Sequence, residues 1–359
     1  MRILATGTTV RQAAVSKKAP RIDWCPVLDV TLEALAPAQV DRRPVEVGED
    51  ISDYDGVWVS FLAPSSVGAV FTPGCLWAMY AAWTRQIPLV VYFDDWQTHG
   101  IVGGMNVVAT RGRNRLFATY RNGSSMFRGD LGLRDKHAEE LIAIAKLFVD
   151  GKSEFWRHAV LGLSLFDGWG DETKITNAIG PIPNVVRWDV TPLFLERFSP
   201  DEGIAVNQRE AWMLAGLSDN HLNWAKKQGL TWPVDSYGPG KLATGGVLKN
   251  EEEVYHEYRR HAGMLVPKYP NSGSGWFRPR WLTGGFAGAA ALCDGEDARA
   301  IGGPYQIGAH AIETMSSDER QRLAEDQIGW FMTLVQTDPE VTRSRIRGAF
   351  NVDSPEGVF

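Results

Sequence analysis

Residues 262–305, AGMLVPKYPNSGSGWFRPRWLTGGFAGAAALCDGEDARAIGGPY, constrain the fold more than any other stretch of the chain. Met264-Leu265-Val266 is an apolar run too short for a helix and reads as a buried strand. Pro270-Asn271-Ser272-Gly273-Ser274-Gly275 is a punctuated loop. Over 276–288, Trp281, Gly285 and Gly288 recur at helical spacing, and Pro279 suits a first helical turn, where a missing N–H costs nothing. A second apolar run, 289–293, ends abruptly at Asp294-Gly295-Glu296. Strand, loop, helix and strand in this length make a βαβ crossover, which joins parallel strands.

The loop of that crossover suggests chemistry. Backbone N–H groups at a helix N-terminus, opened by Ser272, Gly273, Ser274, Gly275 and Trp276, suit a diphosphate. Arg278 and Arg280 add charge-assisted donors. The plainer alternative is a glycine-rich βα turn with two surface arginines.

The same alternation recurs along the chain. Residues 1–6 read as a first strand and Gly7-Thr8-Thr9 as its turn; this is not GxGxxG, so no dinucleotide site follows. A short amphipathic segment spans 28–35. Strands are expected at 56–61, 87–92 and 184–188, with an apolar segment at 159–166 and helices at 76–85 and 135–149. Residues 191–203 combine proline, acidic residues and a final glycine, and read as an interdomain linker. The alternation then restarts: strands at 210–216 and 232–238, and helices at 222–228 and 251–261, the first capped by 218–220 and the second by Asn250. A long amphipathic helix is expected at 317–334, a last short one at 342–350, and a loose tail after it. These elements predict an α/β fold of two Rossmann-like domains: 1–195, on the acceptor side, and 204–315, the donor domain. Helices in 316–359 would follow, able to pack back on the first domain.

At 359 residues the chain has room for two such cores. The net charge of −6 argues against a surface coated for nucleic acid, though not against one basic patch. Cys25, Cys75 and Cys293 are odd in number and widely spaced, without zinc spacing, which points to a reducing compartment and a cytoplasmic protein. The opening MRILATGTTV lacks signal-peptide patterning, and no apolar run reaches membrane-spanning length.

Two further clusters carry candidate chemistry. Asp94, Asp95 and His99 follow the near-continuous apolar strand of 87–92, at a carboxyl strand end, where ligands of parallel sheets bind. One of such a carboxylate pair can act as a general base or stabilise positive charge. The bland alternative is a helix cap. Residues 110–129 hold Arg111, Arg113, Arg115, Arg121 and Arg128 and no acidic residue, with Phe117, Tyr120 and Phe127 interleaved. Arginines there could grip a phosphate backbone while the aromatics stack on an exposed base, or the run is a solvated face.

Two Rossmann-like halves, a linker and long terminal helices resemble the GT-B glycosyltransferase architecture, and the stretch from Glu251 to Asp294 is similar to its donor half. A narrower resemblance, through Val90-Val91-Tyr92-Phe93-Asp94-Asp95 and through Trp212 to Gly216, is to the DNA α-glucosyltransferases of T-even bacteriophages. The resemblance implies an active site in the interdomain cleft, with Asp95 and Asp94 catalytic. It implies a nucleotide sugar, a UDP-sugar foremost, held at Gly216, Lys268, Ser272, Gly273, Ser274, Gly275, Trp276, Arg278 and Asp294. It implies no metal requirement for the chemistry, with Mg²⁺ an allowed addition. The acceptor would be a 5-hydroxymethylated pyrimidine in double-stranded phage DNA, met by Arg111, Arg113, Arg115, Phe117, Tyr120 and Arg121, and the location a host cytoplasm. A small-molecule or glycan acceptor, or a non-catalytic binding role, is the alternative. The chain departs from the retaining members in one respect: where they carry a ribose-binding Glu it has Arg278 or Thr283, and Glu296 comes later.

Overall fold

Every strand pair in the two larger sheets is parallel. The structure, a computed structural model, describes residues 1–7, 26–61, 73–93, 105–106, 119–120, 137–148, 150–164, 180–197, 208–215, 219–238, 243–246, 248, 251–267, 283–334 and 338–350. The chain divides into two compact units: Met1–Leu165, Gly170–Trp188 and Glu340–Phe359 in the first, Phe166–Trp169 and Asp189–Pro339 in the second.

In the first unit the strands are β1 (Arg2–Gly7), β2 (Gln39–Arg42), β3 (Gly56–Phe61), β4 (Leu89–Phe93), a two-stranded antiparallel ribbon of β5 (Met105–Asn106) and β6 (Thr119–Tyr120), then β7 (Val160–Ser164) and β8 (Val185–Trp188). The six-stranded sheet runs β2-β1-β3-β4-β7-β8. Its central strands are apolar along their length because both faces are covered. On one face Leu4, Val57, Val59, Val91, Leu161 and Leu163 pack with Met79 and Ala82 of helix Pro73–Arg85 and with Leu141, Ile144 and Phe148 of helix Ala138–Phe148.

The other face is aromatic. Trp58, Tyr92 and Trp188 are buried there, with Trp58 and Tyr92 centroids 5.1 Å apart and the Tyr92 and Trp188 rings stacked at 5.5 Å. Phe350 stacks on Trp58 at 6.0 Å. It follows helix Pro339–Gly348, whose Arg347 donates from Nε to the Ala34 carbonyl at 3.2 Å. The layer exists because one strand gives way. Tyr92 of β4 pairs with Gly162 of β7, and Gly162 with Val186 of β8. A Cβ on Gly162 would lie 2.6 Å from Trp188 Cη2, so the missing side chain lets the indole cross β7 to reach Tyr92.

The second unit holds β9 (Arg209–Ala215), β10 (Val234–Tyr237), β11 (His261–Val266) and β12 (Ala290–Cys293), in the order β10-β9-β11-β12. Trp212, Leu214, Leu265, Ala290, Leu292 and Ile312 form its core. The exposed edge of β12 is closed by a side chain. Gln327, on helix Ser317–Thr333, accepts from the Ala291 N–H at 2.7 Å and donates to the Ala291 carbonyl at 3.0 Å. The amide thus stands in for a neighbouring strand. That helix starts at Ser316, whose hydroxyl accepts from the Glu319 N–H in a capping box.

Several expectations change. Residues 191–203 were expected to be a linker; Thr191–Arg197 is a helix, begun by Asp189, whose carboxylate accepts from the Thr191 N–H at 2.8 Å and hydroxyl at 2.6 Å. Pro192 sits in its first turn, where proline is tolerated. The helix expected over 251–261 ends at Arg259, and His261 opens β11. The helix expected to reach 288 ends earlier: 283–286 are helical and 287–288 form a turn. Strand β2 and helices Glu154–His158, Gly295–Ile301 and Ala309–Thr314 were not expected. The cap expected at Asn250 and the tail after 350 lie outside the described residues.

The Gly162→Ala variant should be destabilised by about 1–3 kcal/mol, the usual result of overpacking a tight core. Urea denaturation at a single pH measures this. A midpoint equal to that of the wild type would mean that Trp188 does not cross β7 as described.

Candidate functional site

Chain order locates a switch point in each sheet. In the first, the chain goes from β1 outward to β2, then returns to β3 and continues the other way through β4, β7 and β8. In the second it goes from β9 to β10, then returns to β11 and β12. The switch points therefore lie at the carboxyl ends of β1 and β3 and of β9 and β11, the place where open α/β sheets bind ligands.

At the first switch point Gly7 pairs with Ser60, and Ser60 with Tyr92. A Cβ at Gly7 would collide with the Ser60 carbonyl oxygen, so only glycine lets β1 and β3 run together to their ends. Ser60 is buried and accepts a hydrogen bond from Trp58 Nε1 at 2.9 Å. Asp94 and Asp95 are the next residues after β4, the strand beside β3. The aromatic layer that fixes Tyr92 thereby fixes the point from which they leave.

At the second switch point the strand ends are level. Met213, Met264 and Ala291 align across β9, β11 and β12, and each strand ends two residues later, at Ala215, Val266 and Cys293. Gly216 is the next residue after β9, Lys268 the second after β11, and Asp294 the first after β12. The Asp294 N–H donates to the Val266 carbonyl at 3.2 Å. Its Oδ1 accepts from the Glu296 N–H at 3.0 Å as the cap of helix Gly295–Ile301, and its Oδ2 accepts from Trp224 Nε1 at 3.1 Å. Trp224 belongs to helix Asp219–Lys226, which follows β9. Burial pushes the Cys293 thiol well above its ordinary pKa, helped by the carboxylates of Asp297 and Asp294, so this thiol stays protonated.

Asp294 is thus the expected site residue whose side chain is described, and both its carboxylate oxygens serve the protein itself. Tyr120 lies in β6, paired with Met105. The positions of Asp94, Asp95, Arg111, Arg113, Arg115, Phe117, Arg121, Gly216, Lys268, Ser272, Gly273, Ser274, Gly275, Trp276 and Arg278 lie outside the described residues. Thr283, at the position considered for the ribose carboxylate, is buried. Among the described residues no group of three or more His, Cys, Asp or Glu side chains could hold a metal ion, and no helix is long and apolar enough to cross a membrane.

The amino ends of the second sheet are occupied by structural networks. Glu313 accepts from Trp212 Nε1 at 2.8 Å, from the N–H groups of Thr231 and Trp232 at 2.9 Å each, and from the Thr231 hydroxyl at 2.8 Å. These donors outweigh its desolvation and hold its pKa below the usual value. His261 is fully buried. Its Nδ1 lies 2.7 Å from the Glu257 carbonyl, which can only accept, so the proton sits on Nδ1. Nε2 then accepts from Arg209 Nη2 at 3.0 Å, while Arg209 ion-pairs with Asp235, whose Oδ2 is 2.9 Å from Nε2. Burial, with Arg209 and Arg260 nearby, lowers the His261 pKa despite the Glu257 carbonyl and carboxylate.

No protein-family model matches the sequence, and no curated protein matches it significantly. Solved structures do match. The β-glucosyltransferase of T4 phage in complex with UDP and Mn²⁺ aligns with a TM-score of 0.56 at 12% identity, covering 98% of this chain and 99% of that one. A mutant form of the T4 phage enzyme in complex with UDP-glucose aligns at 0.55 over the same shares, also at 12% identity. The DNA modifying enzyme β-glucosyltransferase, with and without uridine diphosphoglucose, aligns at 0.53 and 11%. At such identity the likeness is one of fold, and that fold is the GT-B architecture expected from the sequence. The narrower sequence resemblance ran to α-glucosyltransferases, whereas these structures are of a β enzyme.

The His261 network sets a pH dependence. Its folded pKa is below the ordinary 6.5, so its contribution to stability is complete above pH 6.5. Below that value the unfolded chain takes up a proton that the folded chain refuses, and stability falls by at most about 1.4 kcal/mol per pH unit until the folded pKa is passed. Denaturation curves from pH 8 to 5 for wild type and His261→Gln should therefore diverge below 6.5, with the wild type steeper. Parallel curves would show that His261 titrates normally in the folded chain.

Proposed function

We propose that the chain is a GT-B glycosyltransferase that moves a hexose, glucose foremost, from a UDP-sugar to a hydroxyl acceptor, and that the acceptor is a 5-hydroxymethylated pyrimidine in double-stranded DNA. The observation that carries this reading is the fold shared over 98% of this chain with a phage enzyme crystallised with UDP-glucose. Support comes from register: Gly216 and Lys268 follow the two strands that flank the switch point of the second sheet.

In this reading the nucleotide sugar lies at the carboxyl ends of the second sheet. Its diphosphate meets the backbone of residues 272–276 at a helix N-terminus, and Lys268 and Arg278 neutralise the charge that grows on the leaving UDP. Asp95 takes the proton of the acceptor hydroxyl, and that oxygen bonds to the anomeric carbon as the bond to the diphosphate oxygen breaks. Asp94 supplies negative charge near the sugar as positive charge develops there. The T4 phage enzyme has been seen with UDP and Mn²⁺. Here the cationic side chains carry the leaving-group charge, so transfer should persist in EDTA.

The acceptor rests on the arginines of residues 110–129, with Phe117 and Tyr120 to stack on an extruded base. A small-molecule or glycan acceptor is the second reading, favoured by the net charge of −6.

Three outcomes test the proposal. Mass spectrometry of nucleosides from hydroxymethylated DNA incubated with the protein and UDP-glucose should show a hexose added to the modified base; a hexose on small acceptors alone would select the second reading. Asp95→Asn should lower turnover by about 10²–10⁴-fold, the usual contribution of a general base, with donor affinity unchanged. Neutralising Arg111, Arg113 and Arg115 together should weaken DNA binding on every sequence and flatten the slope of log affinity against log salt by about 0.9 per lost contact. A triple variant with the wild-type slope would remove the arginine stretch from the DNA surface.

A further inference from the structure

We infer that His261 and Arg209 form a proton-for-arginine switch in the second unit: a proton taken up at His261 Nε2 claims the Asp235 carboxylate and releases the Arg209 guanidinium to solvent. The switch is built from described residues and needs no ligand, so it stands or falls apart from the proposed activity.

The strands set the parts side by side. Arg209 pairs with His261, but Trp212 pairs with Gly263, so β9 carries one residue more than β11 at its start, an irregularity that, like a bulge, re-aims side chains. The His261 ring meets charged groups from each element packed on it: Arg209 of β9, Asp235 of β10, and Glu257 and Arg260 at and just after the end of helix Glu251–Arg259. Glu257 is itself held, its Oε1 by the Tyr237 hydroxyl at 2.6 Å and its Oε2 by Arg260 at 2.9 Å. Nδ1–H is committed to the Glu257 carbonyl, so Nε2 is the nitrogen that can change state. Nε2 and Asp235 Oδ2 lie 2.9 Å apart, two acceptors facing each other, and Arg209 Nη2, 3.0 Å from Nε2, supplies the hydrogen between them. A protonated Nε2 fills that place itself and sets N–H against N–H. Exposure decides which donor leaves. The His261 side chain is fully buried and that of Arg209 is 57% exposed, so the arginine goes. Burial, with Arg209 and Arg260 near the ring, holds His261 below its ordinary pKa, so the exchange waits for acid. What it frees is the first residue of β9, while Ala211 to Ala215 stay buried in the sheet.

NMR of the whole chain, with nitrogen-labelled histidine and arginine, reads both partners. Before acidification His261 should show the Nδ1–H tautomer with a bare Nε2; in acid both nitrogens should reach imidazolium shifts while the chain stays folded. The order parameter of Arg209 Nε, from nitrogen relaxation, should fall at the same midpoint, and in His261→Gln it should stay constant across that range. Arg209→Gln removes the competing cation and should raise the His261 midpoint. Asp235→Asn removes the acceptor of the imidazolium and should lower it. An Arg209 that stays ordered while His261 titrates would overturn the exchange. So would a His261 midpoint left unmoved or lowered by Arg209→Gln, or a chain that unfolds with His261 still neutral.

Discussion

Parallel pairing is the constraint on which the rest depends. A strand in a parallel sheet is left at one end and the next is entered at the other, so every connection must travel the length of the sheet. In both units this covers the faces with helices or aromatic side chains and gathers the exits at one end. It also forces a reversal of winding wherever the chain starts in the middle of a sheet, as at β1 and β9. The two ends of the second sheet then differ in kind. Its amino ends are filled by Glu313 and by the His261–Asp235–Arg209 network. Its carboxyl ends send out Gly216, Lys268 and Asp294 from level strands.

Close packing converts that constraint into position. Gly162 lets Trp188 reach Tyr92, and Tyr92 is two residues before Asp94. Phe350, far along the chain, closes the same layer on Trp58, which makes the return of helix Pro339–Gly348 part of the support under β4. Gly7 allows β1 to end against Ser60. A catalytic pair directly after β4 would thus stand on an aromatic layer whose members come from four distant segments.

Much of the fold was legible because buried parallel strands are written as apolar runs. Residues 56–61 and the helix of 317–333 read almost as they stand, the latter through Ser316 and Glu319. Strand β2, Gln39-Val40-Asp41-Arg42, was illegible because it is a half-exposed edge with polar residues along it. Helix Thr191–Arg197 was hidden by Pro192, which reads as a break until Asp189 is seen capping the turn. Helix Gly295–Ile301 was hidden between two glycines. The candidate site chemistry, Asp94-Asp95, Lys268 and the Gly-Ser loop, remains an expectation from the sequence outside the described residues, and the contacts around it were not legible. Nothing local in the sequence pairs Trp224 with Asp294 or Gln327 with Ala291, since those contacts exist only once the sheet brings distant segments together.

The central claim is that a nucleotide sugar binds at the carboxyl ends of β9 and β11. Amide hydrogen exchange of the whole chain, with and without UDP-glucose, addresses it directly. The account predicts ligand-dependent protection in residues 216–218, 267–276 and 294–298, with none at 231–234 or 309–314. Protection confined to the amino-end segments, or no change at saturating UDP-glucose, would contradict it.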